Sequence, residues 1–575
     1  MTDNQGAPPA SPDDPRAPSP QVAVGAGRFA GRLWALDAVR AWTLDPQTRY
    51  FVVLGEPGAG KSTFAAWVAG HGRVPEDPGA AAHLQEVRGR WSAVHICRAK
   101  AGGTVDPKTF ASSISRQLAS RMAGFGDAAL RYLAPELQIT QEVRENYGEV
   151  VAVRAAEIIV NSRDADDVYD KAVRQPLRDV AATRPELFPV FILVDGMDEA
   201  WGRPEPNIVT LLEGSQDLPG VHFMVTTRDL PAIIERLTGR TRLDLSAAEF
   251  GTENDGDVRA FVEERFVADP RLAAAAADAE RQQIVDNVVA RASGNFLFVE
   301  FLLDEVAAGA RPVQDLAGSP SGLYPLYRQY LDRLLPQVAQ PGGADRWAET
   351  YRPLLGSLSV AVPNAPEATL PRWLDWEDED LDLRLDEVRQ LWEEMTDAAT
   401  QDHGYRVYHR SLGDFLGARE YPDEGATTRN RYFAAPKTQH ERIAEYYLEG
   451  AGDWTLSDAY GLRQVVTHLR MWLELETDPR QRQAVARKLY QVVLDPGFRA
   501  EQQRRLGGVD DTLASARTAL DTALLRTDLD IAGELVTALG TDLDPELRAL
   551  AREFAQRIQA VDPERFERLT KSLLA

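Results

Sequence analysis

An α/β domain with a parallel sheet, followed by a largely helical C-terminal half, is the fold class the sequence predicts. Three observations predict it. Gly55-Glu56-Pro57-Gly58-Ala59-Gly60-Lys61-Ser62-Thr63 fits the phosphate-cradling pattern G-x-x-x-x-G-K-[ST], between a strand-type run and a helix-type run. Phe188-Pro189-Val190-Phe191-Ile192-Leu193-Val194 is continuously apolar, as strands buried on both faces of a parallel sheet are. Strand-type and helix-type segments alternate to about residue 250, and beyond it strands nearly vanish.

In chain order, residues 1–25 carry six prolines in the first twenty positions and few large apolar groups, so a disordered tail is expected. Leu33, Leu36, Val39 and Trp42 recur at helical spacing, and Tyr50–Leu54 reads as the strand before the loop. Phe64–Ala69 continues the loop into a helix that stops near Gly70 and Gly72. A second strand is expected over Trp91–Ala99, then a helix over 107–122 with Phe110, Ile114 and Leu118 on one face. A charged, mostly helical insertion spans about 127–184. A helix near 206–217 and strands at Val221–Val225 and Thr241–Leu245 complete a nucleotide-binding type of domain over 26–250. Helices at 255–267, 278–292 and 296–308, and one carrying Leu323, Leu326, Tyr327, Tyr330, Leu331 and Leu334, make a helical domain of 251–337. A joint at 338–345 leads to a small mixed domain ending at 435, with a strand at Tyr405–Tyr408. Residues 436–575 read as helix after helix, with no strict internal repeat.

Composition narrows the function classes. A chain of 575 residues holds several domains, and 44% hydrophobic residues suffice for real cores. The net charge of −24 disfavours nucleic acid and anionic membrane surfaces as partners. One cysteine, Cys97, forbids an intrachain disulfide. No apolar run reaches the ~18 residues of a spanning helix, and the N-terminus lacks the order of a signal peptide, so a soluble cytoplasmic protein is expected.

The loop glycines let the backbone approach an anion, and successive N–H groups with the helix N-terminus face it. Lys61 is expected to reach the β- and γ-phosphates and Ser62 to place its hydroxyl on Mg²⁺. Asp195, ending the apolar strand in Val194-Asp195-Gly196-Met197-Asp198-Glu199, is the second candidate for Mg²⁺, through water. Asp198 and Glu199 follow on the turn, and either is suited to orient or deprotonate an attacking water. In Val225-Thr226-Thr227-Arg228, the guanidinium of Arg228 suits a γ-phosphate. His95-Ile96-Cys97 reads as core, Asp375–Asp380 as a solvated acidic loop, and the remaining histidines show no zinc spacing.

These pieces, in this order, resemble the NACHT-type STAND ATPases, bacterial members included. Leu193–Glu199 is similar to their second acidic motif and Thr226-Thr227-Arg228 to their sensor strand. Phe29-Ala30-Gly31-Arg32 resembles their N-terminal nucleotide-contacting segment, Ala292–Phe298 their helical-domain signature and Tyr408–Leu416 the histidine-bearing segment of their winged-helix domain. The resemblance implies an AAA+/STAND-like P-loop NTPase domain (26–250) followed by helical (251–337), winged-helix (338–435) and α-helical (436–575) domains. It implies nucleotide contacts from Gly55 through Thr63, Arg32, Arg228 and His409, with His409 on the β-phosphate of ADP. It implies a switch held closed on ADP, opened by ATP exchange, hydrolysing ATP slowly and self-associating to activate an effector, in antiphage defence or regulation. Either the 436–575 helices sense, or the partner domains sit on other chains, or the chain is a fragment. Many relatives have a proline where this chain has Asn295-Phe296, which bears on the adenine contact. A P-loop kinase acting on a small molecule and a nucleotide-binding scaffold without hydrolysis are the alternatives.

Overall fold

The computed structural model describes residues 31–98, 103–137, 165–201, 206–275, 278–335, 345–396, 403–423, 425–449, 453–526, 528–542 and 544–563. The expected tail, Phe29 and Ala30, the middle of the 127–184 insertion and nearly all of the 338–345 joint lie outside them. Two compact units emerge: one runs to Leu331 and takes in Pro422–Thr427, and the other comprises Asp332–Tyr421 and Thr428 onward.

The first unit is built on five strands, β1 Tyr50–Leu54, β2 Trp91–Ile96, β3 Val190–Asp195, β4 Val221–Thr226 and β5 Arg240–Asp244. All pair in parallel in the order β2-β3-β4-β1-β5. Every residue of β1 and β3 is buried, because helices cover both faces. On one face Tyr50, Val52, Ile192 and Val225 pack with Phe110 and Ile114 of the helix Pro107–Arg121. On the other, Phe51, Leu193 and Met224 pack with residues of three more helices. These are α1 Leu33–Leu44, α2 Lys61–Ala69 and α3 Pro78–Arg90; we call Pro107–Arg121 α4. Asp77 and Asp106 cap α3 and α4, each followed by a proline that suits the first helical position. The sheet is followed by helices α5 Gly251–Ala268, α6 Asp278–Ala292, α7 Phe296–Ala307 and α8 Leu323–Leu334.

The second unit opens with α9 Arg352–Val360 and a three-stranded antiparallel sheet. Its strands are β6 Ala365–Pro366, β7 Trp392–Thr396 and β8 His403–Val407, in the order β6-β8-β7. Asp375–Asp380 corrects the expectation of a solvated loop: Asp378, Glu379 and Asp380 form the first turn of α10 Asp378–Glu387. Three carboxylates there favour the helix dipole, and buried Leu381 and Leu385 anchor the turn behind them. The strand expected at Tyr405–Tyr408 starts two residues earlier and ends at Val407, and Tyr408 N–H bonds to Leu391 O at 3.1 Å. Tyr408 therefore stands before α11 Arg410–Gly417, not on its apolar face, which is made by Leu412, Phe415 and Leu416. From Pro436 onward helices follow one another, beginning with α12 Pro436–Glu449 and α13 Ala459–Leu475. No helix among the described residues is long and apolar enough to cross a membrane.

Two buried histidines join α12 to α13. His440 Nδ1 lies 2.8 Å from His468 Nδ1, and Tyr460 Oη lies 2.8 Å from His468 Nε2. Burial pushes the His440 imidazole down to about 3, helped by Arg470, and pushes His468 well below its ordinary value, helped by His440. Both rings are thus held neutral, and the unfolded chain binds more protons than the folded one between the folded pKa values and about 6.5. Their stabilisation is complete above that range and is lost as the pH falls through it, by up to about 1.4 kcal/mol per histidine per pH unit. The denaturant midpoint of the second unit should fall between pH 7 and pH 4.5, and less steeply in His440→Gln. Equal slopes for the two proteins would contradict this account.

Candidate nucleotide site

The sheet order brings three strand ends together. β4 lies between β1 and β3, so the loop after β1, the acid ending β3 and the hydroxyls after β4 share one edge of the sheet. Ligands of open parallel sheets bind at such carboxyl edges.

The loop turns through Gly58 and Gly60, both at positive φ (85° and 82°), and α2 starts at Lys61. A side chain is strained in that conformation. The first N–H groups of α2 have no acceptor within the helix and point out of its end. Lys61 folds back over the loop and donates to Gly55 O at 2.6 Å and Glu56 O at 3.0 Å. Burial lowers its pKa, opposed by the nearby Asp198 and Asp195.

Asp195 is buried, and the Ser62 hydroxyl is near enough to favour its ionised form, so the loop hydroxyl and the strand-end acid lie close to each other. Thr226 Oγ1 donates to Asp195 Oδ1 at 2.5 Å and accepts from Gly196 N–H at 2.9 Å. Burial raises the Asp195 pKa, while the Thr226 and Ser62 hydroxyls and the Lys61 charge draw it down. Asp198 pairs with Arg228, Nε to Oδ2 at 2.8 Å. Glu199 stands beside it on the short helix Met197–Ala200, with its N–H bonded to Gly196 O at 2.9 Å. Thr227 Oγ1 is buried at the same edge with no partner among the described residues.

Arg32 is fully buried, with a φ of 57°. Its guanidinium donates to Ala59 O at 2.7 Å and Leu245 O at 3.3 Å and lies over the rings of Trp34 and Phe296. Burial pulls its pKa down to about 10, and Asp257, which accepts its N–H, opposes the fall. His409 belongs to the second unit. It caps α11, with Nδ1 accepting from Ser411 N–H at 3.1 Å, which leaves the proton of a neutral ring on Nε2. His95 is core: Nε2 meets Thr104 O at 2.7 Å, and burial takes its pKa to about 4.

Among the described residues no three His, Cys, Asp or Glu side chains are grouped to hold a metal by themselves. The donor set does fit Mg²⁺ bound with a nucleotide, which needs only one or two protein oxygens beside phosphates and water. Ser62 Oγ and Asp195 would supply them.

Sequence reasoning missed Thr226 as the group that holds Asp195, and Ser246, whose Oγ accepts Glu56 N–H at 3.0 Å. The hydroxyl at a strand end beside an acidic strand was a usable signal for the first. None existed for the second, because its partner lies 190 residues away.

Gly196 (φ 73°) makes the turn after Asp195, and a Cβ there would stand 2.7 Å from the Cys97 carbonyl oxygen. The atom it meets is backbone and cannot swing away, so Gly196→Ala should cost more than the ~1–2 kcal/mol of a left-handed alanine. A denaturation midpoint equal to that of the parent would refute the packing at this turn.

The family model described as Nephrocystin 3, N-terminal, matches residues 32–228, a span that begins at Arg32 and ends at Arg228. No curated protein matches the chain. Among solved structures, the chain is similar to one in the "Structure of Drosophila ORC bound to DNA", at 14% identity over 69% of this chain and 98% of that one, with a TM-score of 0.27. The loop motif, the parallel sheet and the family match relate this domain to P-loop NTPases.

Proposed function

We propose that the chain is an ATP-binding switch of the NACHT-type STAND class that hydrolyses ATP slowly. The observation that carries this reading is the approach of Ser62 and Lys61 to Asp195, which brings the loop and the strand-end acid together from segments more than a hundred residues apart. Lys61 exchanges its two carbonyl partners for phosphate oxygens when nucleotide enters. Ser62 and Asp195 hold Mg²⁺, which neutralises phosphate charge when bound. Asp198 and Glu199 stand together on the short helix after Asp195; we assign Glu199 to orient the attacking water and Asp198 to hold Arg228 near the terminal phosphate. Slow turnover suits a site whose basic and acidic groups already neutralise one another.

The remaining domains follow from the resemblance. The antiparallel sheet with α11 supports a winged-helix reading of 338–435, and the helices from Pro436 support a sensing or effector-coupling role. In this reading the protein is cytoplasmic and self-associates on ATP exchange, its trigger and effector reside on other chains, and His409 restrains the ADP state. Antiphage defence and regulation both suit such a switch.

Lys61→Ala should abolish tight ATP and ADP binding in titration calorimetry while leaving the fold intact; unchanged affinity would remove the loop from consideration. Glu199→Gln should bind ATP and slow single-turnover hydrolysis by about 10²-fold or more, the usual share of a positioned base. Full hydrolysis by that variant would exclude Glu199. His409→Ala should release ADP faster by about tenfold, as loss of one charge-assisted hydrogen bond does, and an unchanged release rate would exclude the restraint.

A further inference from the structure

Three consecutive carbonyls of the phosphate loop are held by groups from outside the loop. Pro57 O accepts from Asn295 Nδ2 at 2.8 Å, Gly58 O from Phe296 N–H at 3.1 Å and Ala59 O from Arg32 Nη2 at 2.7 Å. A trans peptide unit is planar, with its C=O and N–H on opposite sides. Holding the carbonyls of Pro57 and Ala59 on one side therefore aims the N–H groups of Gly58 and Gly60 to the other. Ala59 N–H, between them, closes a turn on Glu56 O at 3.1 Å.

Asn295 does two things with one planar amide. Its Oδ1 accepts Phe298 N–H at 3.0 Å and caps α7, while its Nδ2 reaches the loop. Aspartate has no donor for the loop, and serine caps a helix but is too short to reach Pro57. The approach is close: a Cβ on Gly58 would lie 2.3 Å from Asn295 Oδ1 and 2.8 Å from Leu297 Cβ. Phe296, next in the chain, lies under the Arg32 guanidinium, so the groups that hold the loop also pack on each other.

We propose that Asn295 is a positioning residue for phosphate binding: it straps the outer side of the loop to the start of α7 and so presets the inner N–H groups toward an anion. This rests on the nucleotide reading above. It assigns the Asn295-Phe296 step a task directed at the loop backbone. It also ties α7 mechanically to whatever occupies the loop.

The test compares the full chain with Asn295→Ser, which keeps the α7 cap and loses the strap, and with Asn295→Ala, which loses both. Amide exchange of the peptide covering residues 55–60 is followed in the ligand-free protein, and affinities for ADP and inorganic pyrophosphate are measured by calorimetry. Asn295→Ser should exchange faster over the loop and bind both probes about threefold to tenfold more weakly, as loss of one hydrogen bond predicts, with its melting temperature unchanged. Parental exchange rates, or faster exchange with parental affinity for both probes, would overturn the strap while leaving the nucleotide reading standing. A parent chain that binds neither ADP nor pyrophosphate would overturn both, and the exchange data would then show whether Asn295 orders the loop for structure alone.

Discussion

The parallel pairing of β4 with β1 on one side and β3 on the other is the constraint on which the site depends. Val52 pairs with Val225, and Leu193 with Met224, so the three strands end level with one another. That level edge sets Gly55, Asp195 and Thr226 side by side. A shift of one residue in either pairing would send Thr226 Oγ1 to the opposite face of the sheet, because side chains alternate along a strand. The register is in turn secured by two apolar layers, one on each face, so the chemistry at the edge inherits its geometry from the core.

Charge is balanced locally in a chain that is strongly acidic overall. Asp195 is paired with hydroxyls and lies near Lys61, and Asp198 is paired with Arg228. The Lys61 charge draws Asp195 toward the ionised state, and burial works against it. An incoming anion therefore meets cations that already have partners. Its binding is an exchange of partners more than a filling of empty space, and exchange of this sort can be tuned by modest changes in either partner.

Much of this was legible in the sequence because the signals are local. Gly55–Thr63 carries its own turn chemistry, and Val190–Val194 declares burial on both faces by being apolar throughout. The edge strand β5, with Thr241 and Arg242 exposed and Leu243 buried, was found within one residue. What could not be read depends on groups far apart in sequence: Arg32 on Ala59, Asn295 on Pro57, Ser246 on Glu56. The acid run at Asp375–Asp380 misled because charge alone was weighed, and the two leucines behind it decide the helix. His409 caps α11, and the Ser411 N–H that it accepts is a matter of ring orientation, which spacing does not encode.

The hydroxyl of Thr226 has a direction. It receives a proton contact from the Gly196 amide and passes its own hydrogen to Asp195, so the chain runs N–H to O–H to carboxylate one way only. An amide cannot accept in place of donating, and the sequence of donors cannot reverse. A protonated Asp195 would have to carry its hydrogen on Oδ2, because Thr226 already presents one to Oδ1. The backbone of a turn thus acts as a rectifier at the end of β3: by fixing which way one hydroxyl faces, it favours the ionised form of an acid whose pKa burial raises.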